Sequence, residues 1–358
     1  MTAVSGAAEV REEDAFDVSA VAEWLRANAT DADGLDGQPE VRQFSGGASN
    51  LTYLLRYPHR DLILRRAPKG TKAKGAHDMH REFFIQSKLA PVLPSVASMV
   101  GFCDDESVLG ADFYVMDRID GVIPRSEWPA GVPLSPEQAR QLCLNVIDVY
   151  TELHSVDPEA AGLAELGKGA GYVRRQVEGW SMRYRNARTP DNPDFEDVMA
   201  WLDQHQPADV ATCVIHNDFK IDNPVFDRDD PTRVVGIFDW EMATLGDPLM
   251  DLGGALAFWV QADDSDEVKV TRRVPSHLPG MLTRDEFVAR YCERMGFELT
   301  PEQWRFYEIF GLFRNAVIAQ QIYYRYFHGQ TSNEMFALFG TGVQIIGRRI
   351  SELLGLLP

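Results

Sequence analysis

One segment, residues 214–223, constrains this chain more than any other feature of its sequence. It reads VIHNDFKIDN, and the run IFDW follows at 237–240. The apolar start predicts a short strand, beyond which Asp218 can face a substrate hydroxyl. Asn223 and Asp239 offer the oxygen ligands that a hard cation such as Mg²⁺ prefers. From this segment alone, a turn whose Asp and Asn side chains satisfy backbone groups stays open.

The spacing of these polar residues matches a known arrangement for phosphoryl transfer. His216, Asp218 and Asn223 form the pattern H-x-D-x-x-x-x-N, and Asp239 follows the next predicted strand. Kinase-like enzymes use this order to place a base and their metal ligands. The pattern therefore predicts a phosphoryl-transfer site, provided that groups for the nucleotide phosphates occur upstream.

Three such groups occur upstream, in the order that a kinase-like site requires. Gly46 and Gly47 lie between two predicted strands, where missing side chains let the backbone approach phosphate oxygens. Arg65 lies on the third predicted strand, and its guanidinium stays charged and can bind two oxygens at once. Glu82 lies on the following helix and could orient Arg65, although a solvated helix charge is the alternative for this residue alone. The occurrence of all these groups in the expected order along the chain favours a nucleotide site over a set of unrelated turns.

The pattern of apolar residues changes near Gly121 and predicts two lobes. We expect an α+β fold with a small antiparallel β-sheet lobe at 1–119, of which 1–15 is a tail. A large, mainly helical lobe is expected at 120–358, with the catalytic loop and the acceptor site. Strands are predicted at 41–44, 51–57, 62–66, 95–103, 113–117, 212–216 and 234–239. Helices are predicted at 16–29, 79–89, 135–154, 171–187, 194–205, 283–295, 301–328 and 333–355.

The composition excludes several classes of partner. The 358 residues include 54 acidic and 35 basic side chains, a net charge of −19. Nucleic acids and anionic membranes bind basic surfaces, so this balance argues against both as partners. The four cysteines show no zinc or redox spacing, and the N-terminal residues lack an apolar signal core. We therefore expect a cytoplasmic protein with reduced thiols, and its oligomeric state stays open.

Several segments resemble the aminoglycoside phosphotransferase family of the protein-kinase-like superfamily. The resemblance covers about residues 40–255 in its motifs. The run DWEMATLGDP at 239–248 is similar to a branch that includes the kinase-like domain of certain acyl-CoA dehydrogenases. The resemblance implies a protein-kinase-like bilobal fold and the transfer of a phosphate from ATP with Mg²⁺. The other segments are SGGASNLTY at 45–53, LILR at 62–65, RE at 81–82, FYVMD at 113–117 and HNDFKIDN at 216–223.

The resemblance also implies a role for each site residue. Asp218 would be the catalytic base or would orient the acceptor hydroxyl, with His216 as a supporting anchor. Asn223 and Asp239 would bind Mg²⁺, and Arg65 would pair with the ATP phosphates. Glu82 would hold Arg65 in place. The other implied nucleotide-site residues are Gly46, Gly47, Ser49 and Asn50 at the glycine turn, and Met116, Asp117 and Ile119 at the adenine.

Three residues of the catalytic loop depart from the family pattern. Asn217 and Asp222 stand where glycine is usual, and Pro224 stands where an aliphatic residue is common. Asn and Asp tolerate left-handed backbone, so the loop can keep its course. None of these departures removes a catalytic group.

Two other classes of function stay open. A catalytically silent nucleotide-binding module, a pseudokinase, usually lacks the base or a metal ligand, and this chain has Asp218, Asn223 and Asp239. A metal-dependent hydrolase would leave the glycine turn and Arg65 without a purpose. A protein substrate is disfavoured, because no Ala-Pro-Glu-like segment follows Asp239. The sequence therefore predicts an ATP-dependent kinase of a small-molecule alcohol.

The charges of the C-terminal helices bear on the acceptor. Residues 301–358 contain five arginines and four glutamates, a surplus of +1 in a chain of net charge −19. Arg314, Gln321 and Arg325 fall on one face of a predicted helix, with the two arginines about 16 Å apart. Such a stripe suits an extended anionic acceptor, for instance a hydroxyacyl-CoA, better than a polycationic aminoglycoside. Pairing of these arginines with carboxylates of the helical lobe is the open alternative.

Overall fold

A computed structural model describes residues 6–44, 50–68 and 78–356. The chain divides into two compact units. The first, called the sheet unit, comprises Met1–Asp120 and Val235–Glu241. The second, called the helical unit, comprises Gly121–Val234 and Met242–Pro358. The sheet unit therefore contains Asp239, although this residue lies far along the sequence from the other residues of that unit.

The predicted strands and helices are present in the described residues, with small shifts of most of their ends, but the α-helix expected from residue 333 begins at Leu338, after a 3-10 helix at Glu334–Ala337. The strand expected from residue 95 begins only at Met99, because the chain turns after Pro94, which has no backbone N–H to pair. The strands are β1 (Ala7–Ala8), β2 (Glu40–Phe44), β3 (Leu51–Arg56), β4 (Asp61–Arg66), β5 (Met99–Cys103), β6 (Phe113–Asp117), β7 (Cys213–Ile215), β8 (Pro224–Phe226), β9 (Val234–Ile237) and β10 (Thr244–Gly246). The helices are α1 (Val18–Asn28), α2 (Met79–Leu89), α3 (Glu106–Leu109), α4 (Pro136–His154), α5 (Tyr172–Ala187), α6 (Glu196–His205), α7 (Pro248–Leu256), α8 (Asp266–Lys269), α9 (Arg284–Met295), α10 (Pro301–Phe327) and α11 (Leu338–Leu353).

The sheet unit is built on one antiparallel sheet in the order β1-β2-β3-β4-β6-β5. Successive side chains of a strand point to opposite faces. One buried cluster accordingly joins Leu62 and Leu64 of β4 to residues of α1. A second cluster joins Ile63 of β4 to Met79 of α2 and to residues of β6. Arg65 shares the face of Ile63, so β4 presents this cation on the side of the sheet that α2 covers.

Residues 6–15 differ from the expected tail. β1 pairs with β2 at the edge of the sheet. The buried Tyr53 hydroxyl donates a hydrogen bond to the Asp14 carbonyl oxygen at 3.0 Å, and Arg66 Nη2 donates to the same oxygen at 2.8 Å. The sequence of this small, acidic segment does not predict the contact. The acceptor is a backbone carbonyl, which every residue has, and the two donors are buried side chains of the sheet.

The helical unit contains long helices with strong start signals. α4 begins with a capping box between Ser135 and Gln138, and Pro136 occupies its first turn. α10 begins in the same way at Thr300 and runs for 27 residues. Despite this length, no helix in the described ranges combines the length and apolar character needed to cross a membrane.

α7 and α10 cross at a contact that only glycine allows. A Cβ added to Gly311 of α10 would lie 2.1 Å from the carbonyl oxygen of Gly253, and one added to Gly253 would lie 2.3 Å from the carbonyl oxygen of Tyr307. The two backbones therefore touch directly. One turn further along α10, the Arg314 Nη1 atom lies 3.0 Å from the point where a Gly254 Cβ would be. The crossing thus leaves room for a guanidinium beside the first helix after the catalytic loop.

Candidate active site

Arg65 and Tyr114 are direct partners across the β4–β6 pair. Opposed residues of an antiparallel pair point to the same face, and Arg65 Nη1 donates a hydrogen bond to Tyr114 Oη at 3.3 Å. Glu82 of α2 meets both side chains. Its Oε2 atom lies 3.1 Å from Arg65 Nη1 and accepts a hydrogen bond from Tyr114 Oη at 2.9 Å. Because Glu82 is only 2% exposed, the strand cation and the helix carboxylate form a buried ion pair.

Two amide side chains complete the hydrogen bonding around this pair. Asn50 Nδ2 donates to Glu82 Oε1 at 2.8 Å, and Gln86 Nε2 donates to Tyr114 Oη at 3.2 Å. Burial raises the pKa of Glu82, and the Arg65 guanidinium opposes the rise. Burial would lower the pKa of Arg65, but Tyr114 and Glu82 outweigh that effect and the pKa is raised. Within the described residues the buried Arg65 Nε–H has no hydrogen-bond partner, and a phosphate oxygen is an acceptor that would satisfy it.

Asp239 belongs to the same unit and lies beside the pair. Its Oδ1 atom is 4.0 Å from Arg65 Nη2, and its side chain is 40% exposed. Its φ is 69°, a left-handed conformation that aspartate adopts more readily than most residues. The backbone is bound on either side, because the Ile237 N–H donates to a carbonyl before β5 at 2.7 Å and Arg81 Nη1 donates to the Glu241 carbonyl at 3.0 Å. The backbone around Asp239 is thereby fixed, and its carboxylate is accessible to a ligand.

The residues expected at the adenine lie at the end of β6. Met116 is buried, and Ile119 packs partly against the same apolar cluster. The N–H of Asp117 donates to the Ser98 carbonyl at 2.9 Å, and the N–H of Arg118 donates to a β4 carbonyl at 3.1 Å. Ile119 is therefore the next residue whose N–H could bind a base edge, and this contact stays a prediction.

The predicted glycine turn falls mostly outside the described residues. Gly46, Gly47 and Ser49 belong to the range 45–49, which the structure does not describe. Asn50 is described and buried, and its side chain is directed to Glu82. The expected contacts of this turn with phosphate remain predictions.

In the helical unit, Asp251 of α7 binds the start of the catalytic loop. Its Oδ2 accepts a hydrogen bond from the His216 N–H at 2.9 Å, and its Oδ1 accepts one from the Asn217 N–H at 2.8 Å. His154 Nε2 lies 3.2 Å from the same carboxylate, and His154 Nδ1 lies 2.6 Å from Tyr291 Oη. Burial alone would raise the pKa of Asp251, but the hydrogen bond and charge of His154 hold it below its usual value. An ionised carboxylate thus receives both loop amides where the chain leaves β7.

Asp218 follows this anchored start and is surrounded by polar groups. Lys220 Nζ lies 3.2 Å from Asp218 Oδ2, and the Asp218 side chain is 24% exposed. Asn223 Nδ2 donates to the Asp218 carbonyl oxygen at 2.7 Å. Because this nitrogen faces the loop, the Asn223 side-chain oxygen lies on the opposite side of the amide, where a cation could bind it. The next residue, Phe219, stacks on Tyr150 with ring centres 4.0 Å apart, which fixes the loop to the helical core.

The loop accommodates the three departures from the family pattern. Asn217 has φ 65°, a conformation for which glycine is usual. Pro224 opens β8, a position where a strand tolerates proline. Asp222 is half-buried, and burial raises its pKa while Lys220 opposes the rise. Glycine is therefore replaced by a residue that tolerates the same backbone, and a second carboxylate is added near Asp218.

Arg314, Gln321 and Arg325 do not share one environment on α10. Arg314 is 7% exposed, and its Nη2 donates to the Asn217 carbonyl oxygen at 2.7 Å. Gln321 and Arg325 are exposed. Contact with an acceptor remains a prediction for these two residues, whereas Arg314 lies behind the catalytic loop. Elsewhere in this region Arg348 pairs with Glu267, and Arg349 pairs with Glu308.

The donor atoms suit Mg²⁺. Asn223 offers an amide oxygen and Asp239 a carboxylate, and Mg²⁺ is typically bound by one or two such groups together with substrate phosphates. Among the described residues, no three His, Cys, Asp or Glu side chains are placed to hold a metal by themselves. Such oxygen donors suit Mg²⁺ bound with phosphate rather than a structural zinc ion, and the binding of one cation by both residues stays a prediction.

Two polar residues at the site were missed by the sequence reasoning. Tyr114 bridges Arg65 and Glu82, but its role depends on the register between two strands that lie far apart in sequence. Lys220 pairs with Asp218, and here a signal was available. A lysine two residues after a proposed base is close enough in a loop for its charge to reach the carboxylate.

The fold is that of the protein-kinase-like phosphotransferases. Residues 40–307 match the phosphotransferase enzyme family, and the chain belongs to this family. The resemblance inferred from the motifs is thereby confirmed. Family membership supports a kinase-like function on a small molecule.

Three known proteins illustrate what the chain is similar to. Acyl-CoA dehydrogenase family member 10 of Mus musculus is 35% identical over 307 residues, which cover 83% of this chain and 27% of that protein. Acyl-CoA dehydrogenase family member 11 of Homo sapiens is 31% identical over 368 residues, 99% of this chain and 46% of that protein. The chain thus spans less than half the length of these curated relatives. The crystal structure of a proposed aminoglycoside phosphotransferase from Ralstonia eutropha JMP134 is 29% identical with a TM-score of 0.80, and the match covers 95% of this chain and 98% of that one.

Proposed function

We propose that this chain is an ATP- and Mg²⁺-dependent phosphotransferase that moves the γ-phosphate of ATP to a hydroxyl group of a small molecule. The observation that carries the proposal is the catalytic loop. There a partly exposed Asp218 carboxylate follows a segment bound by Asp251, with Lys220 and Asn223 beside it. A pseudokinase would have no need for this arrangement, because binding a nucleotide requires neither an accessible base nor a cation next to it.

Each residue has a defined task in this proposal. Asp218 accepts or orients the proton of the acceptor hydroxyl, and Lys220 supplies positive charge where phosphate charge arrives. Arg65 binds phosphate oxygens, and Glu82 holds its guanidinium in place. When bound with ATP, Mg²⁺ would neutralise phosphate charge, and Asn223 and Asp239 are the residues that would hold it.

We further propose that the acceptor is anionic, for instance a hydroxyacyl-CoA, and is not an aminoglycoside. Arg325 and Gln321 are exposed on α10, and within the described residues no carboxylate lies within 4.0 Å of the Arg325 guanidinium. The names of the curated relatives refer to acyl-CoA chemistry, which agrees with an acyl-CoA as the acceptor. A polycationic aminoglycoside would be repelled by an unpaired arginine and would need carboxylates in its place.

The cysteines support a reducing compartment. All four are free thiols and are buried. We therefore propose that the chain works in the cytoplasm on a small-molecule substrate, with neither nucleic acid nor membrane as a partner.

The test measures ATP consumption with Mg²⁺ in the presence of a hydroxylated acyl-CoA, the same acyl-CoA without its hydroxyl group, and kanamycin. We expect turnover with the hydroxylated compound alone. Efficient phosphorylation of kanamycin would contradict the anionic acceptor. No transfer to any hydroxyl, combined with unaltered ATP binding, would instead support the silent module.

Two variants test the acceptor contact. Arg325→Gln removes the proposed acceptor charge and should raise the acceptor KM by about tenfold or less, with the ATP KM unchanged. Arg305→Gln removes an equally exposed arginine from the start of the same helix and should leave both constants near those of the unmodified protein.

A further inference from the structure

The peptide group between Asn217 and Asp218 is hydrogen-bonded at a half-buried position. Asn217 is left-handed, with φ 65°. Its N–H donates to Asp251 Oδ1 at 2.8 Å, and its carbonyl oxygen accepts a hydrogen bond from Arg314 Nη2 at 2.7 Å. A peptide group is planar, so the direction of this carbonyl also sets the direction of the Asp218 N–H and of the bond that leads into Asp218. Whatever holds the carbonyl therefore helps to aim the Asp218 side chain.

Arg314 is an unusual residue for its position. It is only 7% exposed, and in the part of the chain that the structure describes no carboxylate lies within 4.0 Å of its guanidinium. Its guanidinium carbon lies 5.4 Å from the centre of the Trp180 ring. Burying a cation away from water and from carboxylates costs free energy. An aliphatic residue would pack into the core more cheaply, so stability alone does not account for this arginine.

The surrounding sequence is shaped to admit this guanidinium. Gly311 and Gly253 bring α10 against α7, and Gly254 leaves the space that Arg314 Nη1 fills. The same helix α7 carries Asp251, which binds the Asn217 N–H. α7 and α10 therefore bind opposite ends of residue 217, one through a carboxylate and the other through a guanidinium.

We propose that Arg314 is a positioning residue that holds the Asn217 carbonyl, and with it the left-handed turn that aims Asp218. This inference rests on the proposed function insofar as Asp218 acts in the reaction. It gives Arg314 a task different from that of Arg325, which is exposed. A left-handed asparagine is less favourable than a left-handed glycine, so a turn with Asn217 depends on such a bond more than the usual glycine turn would.

The kinetic test compares Arg314→Gln and Arg314→Lys with Arg305→Gln, an exposed arginine on the same helix. We expect Arg314→Gln to lower kcat by at least tenfold while the acceptor KM changes by less than about twofold, because a small misplacement of the base affects the chemical step. Arg314→Lys keeps a charged donor and should recover part of the loss. A raised acceptor KM with an unchanged kcat would place Arg314 in acceptor binding and would overturn the proposal.

A second comparison uses the backbone preference of residue 217. Glycine adopts the left-handed conformation without a penalty, so the loss caused by Arg314→Gln should be smaller when Asn217→Gly is also present. Equal losses in the two backgrounds would contradict a role exercised through this turn.

Hydrogen exchange separates this inference from the proposed function. The amides of His216 and Asn217 donate to Asp251, and they should exchange at least tenfold faster in Arg314→Gln than in the unmodified protein. The exchange rates in Arg314→Lys should lie between those of Arg314→Gln and the unmodified protein. Arg305→Gln should not change them. If the unmodified protein phosphorylates no acceptor, the proposed function fails while this measurement still decides the role of Arg314. Unchanged exchange at these amides in Arg314→Gln would overturn the proposed role of Arg314.

Discussion

The guanidinium of Arg65 lies 3.1 Å from the carboxylate of Glu82, which is 2% exposed. An ion pair at this depth contributes little to stability, because the loss of hydration offsets the attraction. Removing one partner is costly, since the other charge is left buried. A pair of this kind is therefore better explained by a ligand that needs the arginine than by the stability of the sheet.

This relationship gives the first prediction. Glu82→Gln should lower the free energy of unfolding by about 3 kcal/mol, because the Arg65 charge loses its buried partner. The double variant Arg65→Met, Glu82→Gln should recover most of that stability, since no buried charge remains. Both variants should bind ATP at least tenfold more weakly than the unmodified protein, as measured by calorimetry. A double variant that binds ATP normally would exclude Arg65 from the phosphate site.

The second prediction concerns the base. Asp218→Asn should lower turnover by about 10²-fold or more and leave the ATP dissociation constant unchanged, since general bases contribute about 10²- to 10⁴-fold. Steady-state kinetics and ATP titration measure the two quantities. Asp229→Asn changes an exposed aspartate in a nearby loop and should alter neither. Equal turnover in Asp218→Asn would remove this residue from the mechanism.

The third prediction separates the metal ligand from the base. Asp239 is left-handed, so an alanine there would add backbone strain to the loss of the carboxylate. Asp239→Asn avoids that strain and removes only the charge. We expect it to weaken ATP binding in the presence of Mg²⁺ by at least tenfold, and to change binding without Mg²⁺ much less. The same affinity and the same dependence on Mg²⁺ as in the unmodified protein would contradict the assignment.

The order of the site residues along the chain could be predicted, because it depends on local patterns. Short apolar runs located β4 and β6, and helical spacing located α2 at Met79–Leu89. Arg65 and Glu82 are accordingly on the strand and helix where the sequence placed them. The family pattern then indicated that these two side chains meet.

Contacts that depend on the packing of distant segments could not be predicted. Tyr114 reaches Arg65 because of the register between β4 and β6, which no local pattern determines. Helical spacing predicts a stripe that includes Arg314, but it gives only a face of the helix and does not reveal what covers that face. It is buried because glycines on α7 and α10 bring these helices together, and that close approach becomes visible only in three dimensions.

The fourth prediction tests this helix crossing. Gly311→Ala adds a Cβ that would lie 2.1 Å from a backbone oxygen of Gly253, so the helices must move apart. We expect a loss of about 1–3 kcal/mol in the free energy of unfolding. Gly342→Ala on α11 is the matched control, because nothing lies within 4 Å of its added Cβ. It should stabilise the protein by about 0.5–1 kcal/mol, since alanine favours a helix over glycine. Similar shifts for both variants in thermal unfolding would contradict the tight crossing.

The last prediction concerns pH and Asp247, which caps α7. Its Oδ1 accepts hydrogen bonds from the Leu249 and Met250 N–H groups at 2.9 and 3.0 Å, and its Oδ2 accepts one from Val210 at 2.7 Å. Burial nevertheless raises the pKa of Asp247 from 3.8 to about 6. The folded protein therefore binds this proton more tightly than the unfolded chain does.

The sign follows from that difference in pKa. The stabilising contribution of Asp247 is fully present below pH 4 and is lost as the pH rises to about 6, a change on the order of 3 kcal/mol. Asp247→Asn cannot titrate, so its free energy of unfolding should rise relative to that of the unmodified protein over the same interval. Urea unfolding at pH 4, 5, 6 and 7 measures the difference, and Asp229→Asn, at an exposed loop position, should show none of this dependence. A difference between Asp247→Asn and the unmodified protein that stays constant from pH 4 to 7 would show that Asp247 is already ionised at pH 4, held there by its three backbone donors.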